Sequence, residues 1–520
     1  MWLTPMPDPM QTSTPPGSSP GSPTPASRLG RLAPWVPSGV FVLIAVAFIA
    51  TGYHAGRASW DSRHYHEPAV RLFAEQLPAP DLTDYASATT PGYHLLLSVP
   101  VRLGLDSVAS MRLLSAAITA LFLYVLTRAL MRRLRGETAA LLGIGLALPL
   151  VASNYTLLPG VFVLPDNLAW LLVLTILLRT LAGRVSPGGL AVSGLLLAAL
   201  VFTRQIHLWA AGLVWLGAWM APDPDAERPI WSDLPKRLSR TVPAVVCTLP
   251  AFGIAGYFYW LWGGLTPPRF QDEIQRLSPS LPAFLLLEIA VLSVFFVPWL
   301  WGPLVRTRLS VRTIGVTAGV VVVCLALAIV PQTTWSFWEG RASGWWNVVR
   351  RLPTIGDHTS VLILLGAPAG GLALLLWGAA LGPRSRWVLG LGLLGFAMSQ
   401  TASANVWQRY HEPFLLILMA LAGAEIHARQ TEGDRGARPR LKLAALVGLI
   451  GFLGAFTGLG VLKGDRDPDK QRPSHFGVVE EENGLESGPE PEPAGADGGT
   501  TPENPASEVG PDPSASVPEP

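Results

Sequence analysis

Several things are scarce in this chain, and each scarcity closes a class of explanation. Only 14% of its 520 residues are charged, too few to clothe a soluble domain, where about a quarter is usual. Of its 38 basic residues only four are lysine (Lys236, Lys442, Lys463 and Lys470), an arginine bias that follows a GC-rich genome rather than a function. There are two cysteines, Cys247 and Cys324, both inside apolar runs, which argues against a disulfide framework or a thiolate metal cluster. No phosphate-binding P-loop, dinucleotide fingerprint or His-Glu-x-x-His zinc motif is present. No Cys or His spacing fits a structural metal, so neither metal nor cofactor is expected. The net charge of +2 and the loop placement of the basic clusters give no reason to expect nucleic acid. Short alternating segments of the kind that build a membrane β-barrel are also missing.

What is abundant is apolar sequence: half of the residues are hydrophobic and the mean hydropathy is +0.37. Runs of about 17–25 apolar residues, the length that crosses a bilayer core, recur almost to the end. They lie near 36–53, 107–130, 138–154, 157–180, 188–203, 205–220, 241–262, 281–304, 313–331, 359–381, 387–404, 411–427 and 442–462. The expected fold is therefore all-α: a polytopic transmembrane helical bundle of about thirteen crossings, with eleven to fourteen compatible with the same length criterion.

Three regions follow. Residues 1–33, rich in Pro, Ser, Thr and Gly, read as a disordered cytoplasmic tail rather than a cleaved signal peptide. Residues 34–463 form the membrane domain. Residues 464–520, acidic and rich in Pro and Gly, read as a second disordered tail.

Orientation follows from where arginine and lysine gather in the short loops. Arg128, Arg132, Arg133 and Arg135, Arg179 and Arg184, Arg228 through Arg240, Arg306 through Arg312, Arg384 and Arg386, and Arg429 through Lys442 alternate as one set. That set is assigned to the cytoplasm. Residues 54–106, 155–156, 204–205, 263–280, 332–358 and 405–411 then lie outside, and nearly every His, Trp and Asp of chemical interest falls among them.

The first outer loop opens on Trp60-Asp61-Ser62-Arg63-His64-Tyr65-His66-Glu67-Pro68. Asp61, next to a membrane helix, is ionised at neutral pH by its reference pKa near 3.9 and suits a proton acceptor. Arg63, His64 and His66 suit a phosphate group. Pro68 fits the first turn of a helix whose apolar stripe is Ala69, Val70, Phe73, Ala74 and Leu77. That helix is expected to lie on the membrane surface, with Tyr93–Leu105 as a second half-embedded piece. Further along, Arg204-Gln205, with His207 and Trp209 beyond, stands between two apolar runs, where a charge costs about 2.5–3.5 kcal/mol and is a functional candidate by default. Asp166-Asn167 is a partner for it or a helix cap after Pro165. Trp262, Arg269, Trp407, Arg409 and His411 complete the outer-face set. Tyr410-His411-Glu412-Pro413 repeats the order Tyr65-His66-Glu67-Pro68 and is taken as coincidence. Trp335, Trp338, Trp345 and Trp346 read as an interfacial belt or, second to that, as a sugar-stacking surface, and Asp357-His358 is a minor candidate.

At these residues the chain resembles the multi-pass glycosyltransferases of the GT-C class. The dolichyl-phosphate-glucose α-1,2-glucosyltransferase family is the nearest in pattern. Its Asp-Glu-x-x-His-x-Pro motif corresponds to Asp61 through His66 and Pro68, with Ser62 in place of the acid and one residue more between Asp and His. Its Thr-Thr-Pro segment corresponds to Thr89-Thr90-Pro91-Gly92-Tyr93-His94-Leu95, and its Arg-Gln segment to Phe202-Thr203-Arg204-Gln205-Ile206. The resemblance covers about residues 35–265.

It implies a hexosyltransferase acting on the outer face of a plasma (inner) membrane. The donor would be a polyprenyl-phosphate-linked sugar and the acceptor a glycan, lipid or protein. Asp61 would be the general base. Substrate would be held by Arg63, His64, His66, Glu67, Thr90, Tyr93, Asp166, Arg204, Gln205, Trp262, Arg269, Trp407, Arg409 and His411. The alternative class is a transporter or flippase of lipid-linked glycans. Such proteins carry repeat-related halves and broken helices, and the sequence shows neither a repeat nor polar residues away from one face.

Overall fold

The computed structural model describes residues 30–54, 56–183, 185–221, 233–271, 276–306, 310–334, 344–432 and 438–464. The bulk of both tails, together with Arg184, Arg228, Trp335 and Trp338, lies outside the described residues. The described residues are helical almost throughout. In order come α1 (Val36–Ala50), α2 (Arg57–Asp61), α3 (Glu67–Gln76), α4 (Gly92–Arg102), α5 (Val108–Arg133), α6 (Ala139–Ala152) and α7 (Asn154–Val161). Then follow α8 (Asp166–Ala182), α9 (Pro187–Thr203), α10 (Ala211–Trp219), α11 (Leu234–Trp262), α12 (Leu281–Val294) and α13 (Val297–Arg306). The remainder are α14 (Val311–Ile329), α15 (Trp346–Val349), α16 (Val361–Ala380), α17 (Pro383–Thr401), α18 (Glu412–Glu432) and α19 (Pro439–Gly464).

Among the described residues six helices are long and apolar enough to cross a bilayer, or eight if the bent pairs α6–α7 (70°) and α12–α13 (93°) each count as one span. This is the architecture of a multi-pass membrane protein. It also departs from the simple apolar-length reading. The run near 157–180 is divided: α7 ends at Val161 and α8 begins only at Asp166, because Pro165 leads a new helix. The run near 205–220 starts as a 3-10 turn, Gln205–Ala210, and leaves α10 only nine residues long. At the other end, helix begins by Gly30, inside the segment read as tail.

Helices approach closely where a side chain is missing, as in membrane bundles generally. A Cβ on Gly370 of α16 would stand 1.9 Å from the Leu286 carbonyl oxygen of α12, and one on Gly194 of α9 would stand 2.0 Å from that of Cys247 on α11. Both cysteines are free thiols. Elsewhere large apolar side chains point outward, for example Val322 and Val323 of α14 and Leu249 of α11. That surface needs a lipid rather than an aqueous solvent.

Three expectations change here. The apolar stripe of α3 does not lie against a membrane surface. Val70 and Ala74 pack with Tyr93, Leu97 and Met111, while Ala69 and Phe73 pack with Tyr85, Phe258 and Trp262, so α3 and α4 form a lid of protein on protein. Trp346 does not belong to an interfacial belt. Trp346 is fully buried, stacks on Phe284 at 4.2 Å and donates its indole N–H to the Val406 carbonyl; Trp345 packs on Phe452 and Phe456. Asp357 occupies the left-handed turn (φ 53°) of a small hairpin pairing Thr354 with Ser360, and the His358 imidazole Nε2 is 3.0 Å from the Ile329 carbonyl oxygen, so that pair serves the loop.

Candidate functional site

The segment Trp60–Pro68 is not one regular helix. α2 runs into a π turn at Ser62–His66, closed by the Glu67 N–H on the Ser62 carbonyl, and α3 follows directly. A π turn carries one residue more per turn than an α-helix and brings residue i+5 over residue i. Asp61 and His66, five apart, are thereby aligned as residues four apart would be in an α-helix. Pro68 at the second position of α3 needs no donor there.

Asp61 is 3% exposed, although it belongs to a loop read as outer. Arg57, one helical turn earlier, places its Nε 3.1 Å from Asp61 Oδ1, the i, i+4 pairing expected on a helix. Arg409 Nη1 donates to Asp61 Oδ2. The Arg409 Nη2 donates to the Tyr410 hydroxyl at 2.7 Å, and its guanidinium lies 4.8 Å from the Tyr410 ring centroid. The guanidinium of Arg204 lies over the same ring at 4.7 Å, and Arg204 Nη1 donates to Asp166 Oδ1 at 2.5 Å. The result is one charged row: Arg57, Asp61, Arg409, Arg204 and Asp166, with Tyr410 as its aromatic floor. Burial opposes the charge of Arg409, but Asp61, Tyr410 and Asp166 outweigh it and hold the guanidinium well above its usual range. Arg409 Nε and Arg204 Nε have no hydrogen-bond partner, so each cation keeps a donor in reserve. Asp166, the first residue of α8 after Pro165, is the partner of Arg204. Trp407 lines the edge of the row, with Arg57 5.0 Å and Arg409 5.7 Å from its ring.

Loops that carry these groups are tied by the neighbouring motif. Thr90 N–H donates to Gln205 Oε1 at 3.0 Å and Thr90 Oγ1 to the Val201 carbonyl at 2.7 Å. Gln205 Nε2 reaches the Ala88 and Leu265 carbonyls. A Cβ on Gly92 would meet the Phe202 carbonyl oxygen at 2.5 Å, so glycine lets the Thr-Thr-Pro-Gly turn rest on the Arg204 segment. Gln205 thus holds geometry, and Arg204 is free to face the row.

Not every expected residue joins. Arg63 and His64 are exposed; His64 stacks on Trp60 at 4.5 Å. His66 Nδ1 is 2.8 Å from His94 Nε2 in a buried, near-parallel pair. Burial, then Arg409 and Arg204, hold His66 down to about 3, and burial holds His94 low as well. A neutral imidazole does not neutralise a phosphate, which leaves His66 a hydrogen-bonding rather than a cationic group. Glu67 accepts from Ser62 Oγ at 2.7 Å, and the Val163 N–H donates to the same Ser62 oxygen. Tyr93 donates to Ser115 Oγ at 3.1 Å and is pushed up mainly by burial. Trp262 is buried and donates to the Leu82 carbonyl. Arg269 pairs with Asp84 on the exposed surface, and His411 Nδ1 lies 2.8 Å from Glu288 Oε2 in the core. These six hold the scaffold.

The repeated Tyr-His-Glu-Pro order has a common local structure in its two copies. Both copies start a helix with Glu at the first position, α3 and α18. In both, the His is buried beside a titratable partner, and the Glu accepts from a buried serine, Ser62 for Glu67 and Ser153 for Glu412. The sequence order missed Arg57, Tyr410 and His94. Arg57 carried a legible signal in its i, i+4 spacing to Asp61; Tyr410 and His94 stood inside the quoted motifs, but nothing in those motifs marked their pairing.

The histidine pair makes the loop acid-sensitive. The unfolded chain binds a proton at His66 near 6.5, the native imidazole only near 3. The unfolded form therefore gains protons first as pH falls, and stability drops from pH 6.5 downward by up to about 1.4 kcal/mol per unit. Thermal unfolding between pH 8 and 5 should show this slope, and His66→Gln should reduce it, His94 keeping its own share; an unchanged slope would assign the acid sensitivity elsewhere.

Among the described residues no group of three or more His, Cys, Asp or Glu side chains is arranged to hold a metal ion. No family model, curated protein or solved structure matches the chain.

Proposed function

We propose that the chain is an integral-membrane hexosyltransferase of the GT-C type. It would take a sugar from a polyprenyl phosphate at the outer face of a plasma membrane, in a bundle of about thirteen crossings by the apolar-length criterion. One observation carries the reading: Asp61, Arg409, Arg204 and Asp166 come from four separate parts of the chain and meet in one buried row. Burying that much charge is costly and is retained where function needs it. The π turn supports the resemblance too, because it absorbs the extra residue between Asp61 and His66.

In this reaction the acceptor hydroxyl oxygen attacks the anomeric carbon, the carbon–oxygen bond to the lipid phosphate breaks, and the hydroxyl proton passes to the Asp61 carboxylate. The phosphate leaves with the negative charge, which Arg204 and Arg409 neutralise. Both Asp61 oxygens are engaged by arginines in the resting state. A phosphate that draws Arg409 away therefore frees the carboxylate for its proton. The acceptor is a glycan, lipid or protein hydroxyl.

A second reading, a transporter of lipid-linked glycans, is favoured by a different observation. The bend between α6 and α7 falls at Ser153, which donates to the buried Glu412, and broken helices with buried acids line transport sites. Purified protein in liposomes separates the two. Supplied with a polyprenyl-phosphate sugar and an acceptor lipid extract, the enzyme yields an acceptor one hexose heavier by mass spectrometry. Movement of the glycan across the bilayer without a mass change would replace the enzyme reading with the transporter.

A further inference from the structure

Between α16, α17 and α18 lies a cavity that the reaction does not use. It measures about 230 Å³ and is bounded by the second half of α16, the first half of α17 and the middle of α18, with Ile289 of α12 behind. Its wall is apolar: Leu374, Leu381, Leu389, Leu393, Leu415 and Met419. Trp377 closes one side with its indole N–H fixed on Ser293 Oγ at 3.0 Å. Gly378 and Gly390 face the same space, and a Cβ added to either would meet nothing within 4 Å. The space opens to the surface of the bundle at Gly390, which is exposed.

The mouth is charged. Arg386, exposed, lines the cavity and stays beside it through a hydrogen bond from Nη2 to the Leu381 carbonyl. Arg429, also exposed, rests its guanidinium against Gly382 in the α16–α17 turn, 2.6 Å from where a Cβ would be. Arg384 in the same turn spends its donors on the carbonyls of Thr180, Leu181 and Met220, so Arg386 and Arg429 supply the charge. Trp387, 40% exposed, sits next to Arg386. Trp beside Arg at a helix end marks headgroup depth.

We propose that this cavity binds one acyl chain of an anionic phospholipid, whose phosphate pairs with Arg386 and Arg429. An apolar slot beneath two cations matches a lipid that is apolar below and anionic above, and arginine is the side chain suited to phosphate. The site is a structural lipid site on the basic side of the bundle, apart from the proposed donor site at Asp61.

Native mass spectrometry of the full-length protein tests this. After delipidation in detergent, the protein is titrated with phosphatidylglycerol and with phosphatidylcholine of identical acyl chains. One phosphatidylglycerol is expected to bind at least about tenfold more tightly, since tenfold corresponds to about 1.4 kcal/mol. Arg386→Ala with Arg429→Ala should erase the preference, and Gly390→Leu, which fills open space, should reduce binding of both lipids. Gly378→Leu repeats the filling from the facing helix. Equal binding of the two lipids, or filling variants that bind as the wild type does, would overturn the proposal. Displacement of phosphatidylglycerol by polyprenyl phosphate at equal concentration would also overturn it, by giving the cavity to the donor. Failure of transfer activity leaves this lipid result standing, so the two readings fail separately.

Discussion

Asp61→Asn is expected to lower sugar transfer from a radiolabelled polyprenyl-phosphate donor by about a thousandfold, within the range of about 10²–10⁴ that a positioned acid or base contributes. The substitution keeps the volume and one acceptor oxygen but removes the charge that faces Arg57 and Arg409. It therefore has a stability cost as well. Arg409 loses its principal counter-charge while buried, and breaking such a pair costs about 3 kcal/mol. The two effects separate on the folded fraction recovered by gel filtration, where unfolding no longer contributes to the loss. Arg409→Lys gives the complementary result. It retains charge but not the fork that reaches both Asp61 and Tyr410, and it should bind the donor less tightly than the wild type. Wild-type transfer by folded Asp61→Asn protein would remove Asp61 as the proton acceptor, and with it the mechanism.

Arg204→Ala is expected to produce the largest loss of stability of any single change at the site, about 3–5 kcal/mol. Asp166 is 3% exposed and Arg204 9%, so removing the cation leaves a buried carboxylate with neither water nor its partner. The contact over the Tyr410 ring is lost at the same time. A double variant, Arg204→Leu with Asp166→Leu, replaces both charges with apolar groups. It should regain most of the unfolding temperature measured in detergent, because an apolar pair avoids the desolvation of two ions, but it should not regain transfer. If the double variant were as unstable as Arg204→Ala, the row would owe its stability to geometry rather than to paired charge.

Much of this was legible in the sequence, and the reasons are local. Apolar length marked α1, α5, α11, α14, α16 and α19 because a helix that crosses a bilayer needs a fixed run of residues. Pro68 marked a helix start, and the i, i+4 spacing of Arg57 to Asp61 was there to be read. The divided run around Pro165 was harder to read: composition is apolar throughout, and only the turn at Phe162–Pro165 separates α7 from α8. The stripe on α3 showed that one face is buried. It did not show against what, since a periodic pattern is the same whether the facing medium is lipid or protein.

The site was half legible in the same way. The sequence by itself determined an all-helical, multi-pass chain and a small set of charged residues expensive enough to demand a partner. Only the tertiary structure decided the pairings. Asp61 and Arg409 are 348 residues apart, Asp166 and Arg204 38 apart, and no local pattern links them. Tertiary packing also divided three similar histidines: His64 to the surface, His66 to a neutral pair with His94, and His411 to Glu288. The physical reason is that a side chain's cost in a membrane protein depends on what lies across from it. That neighbour is set by how helices pack, not by the residues on either side in the chain.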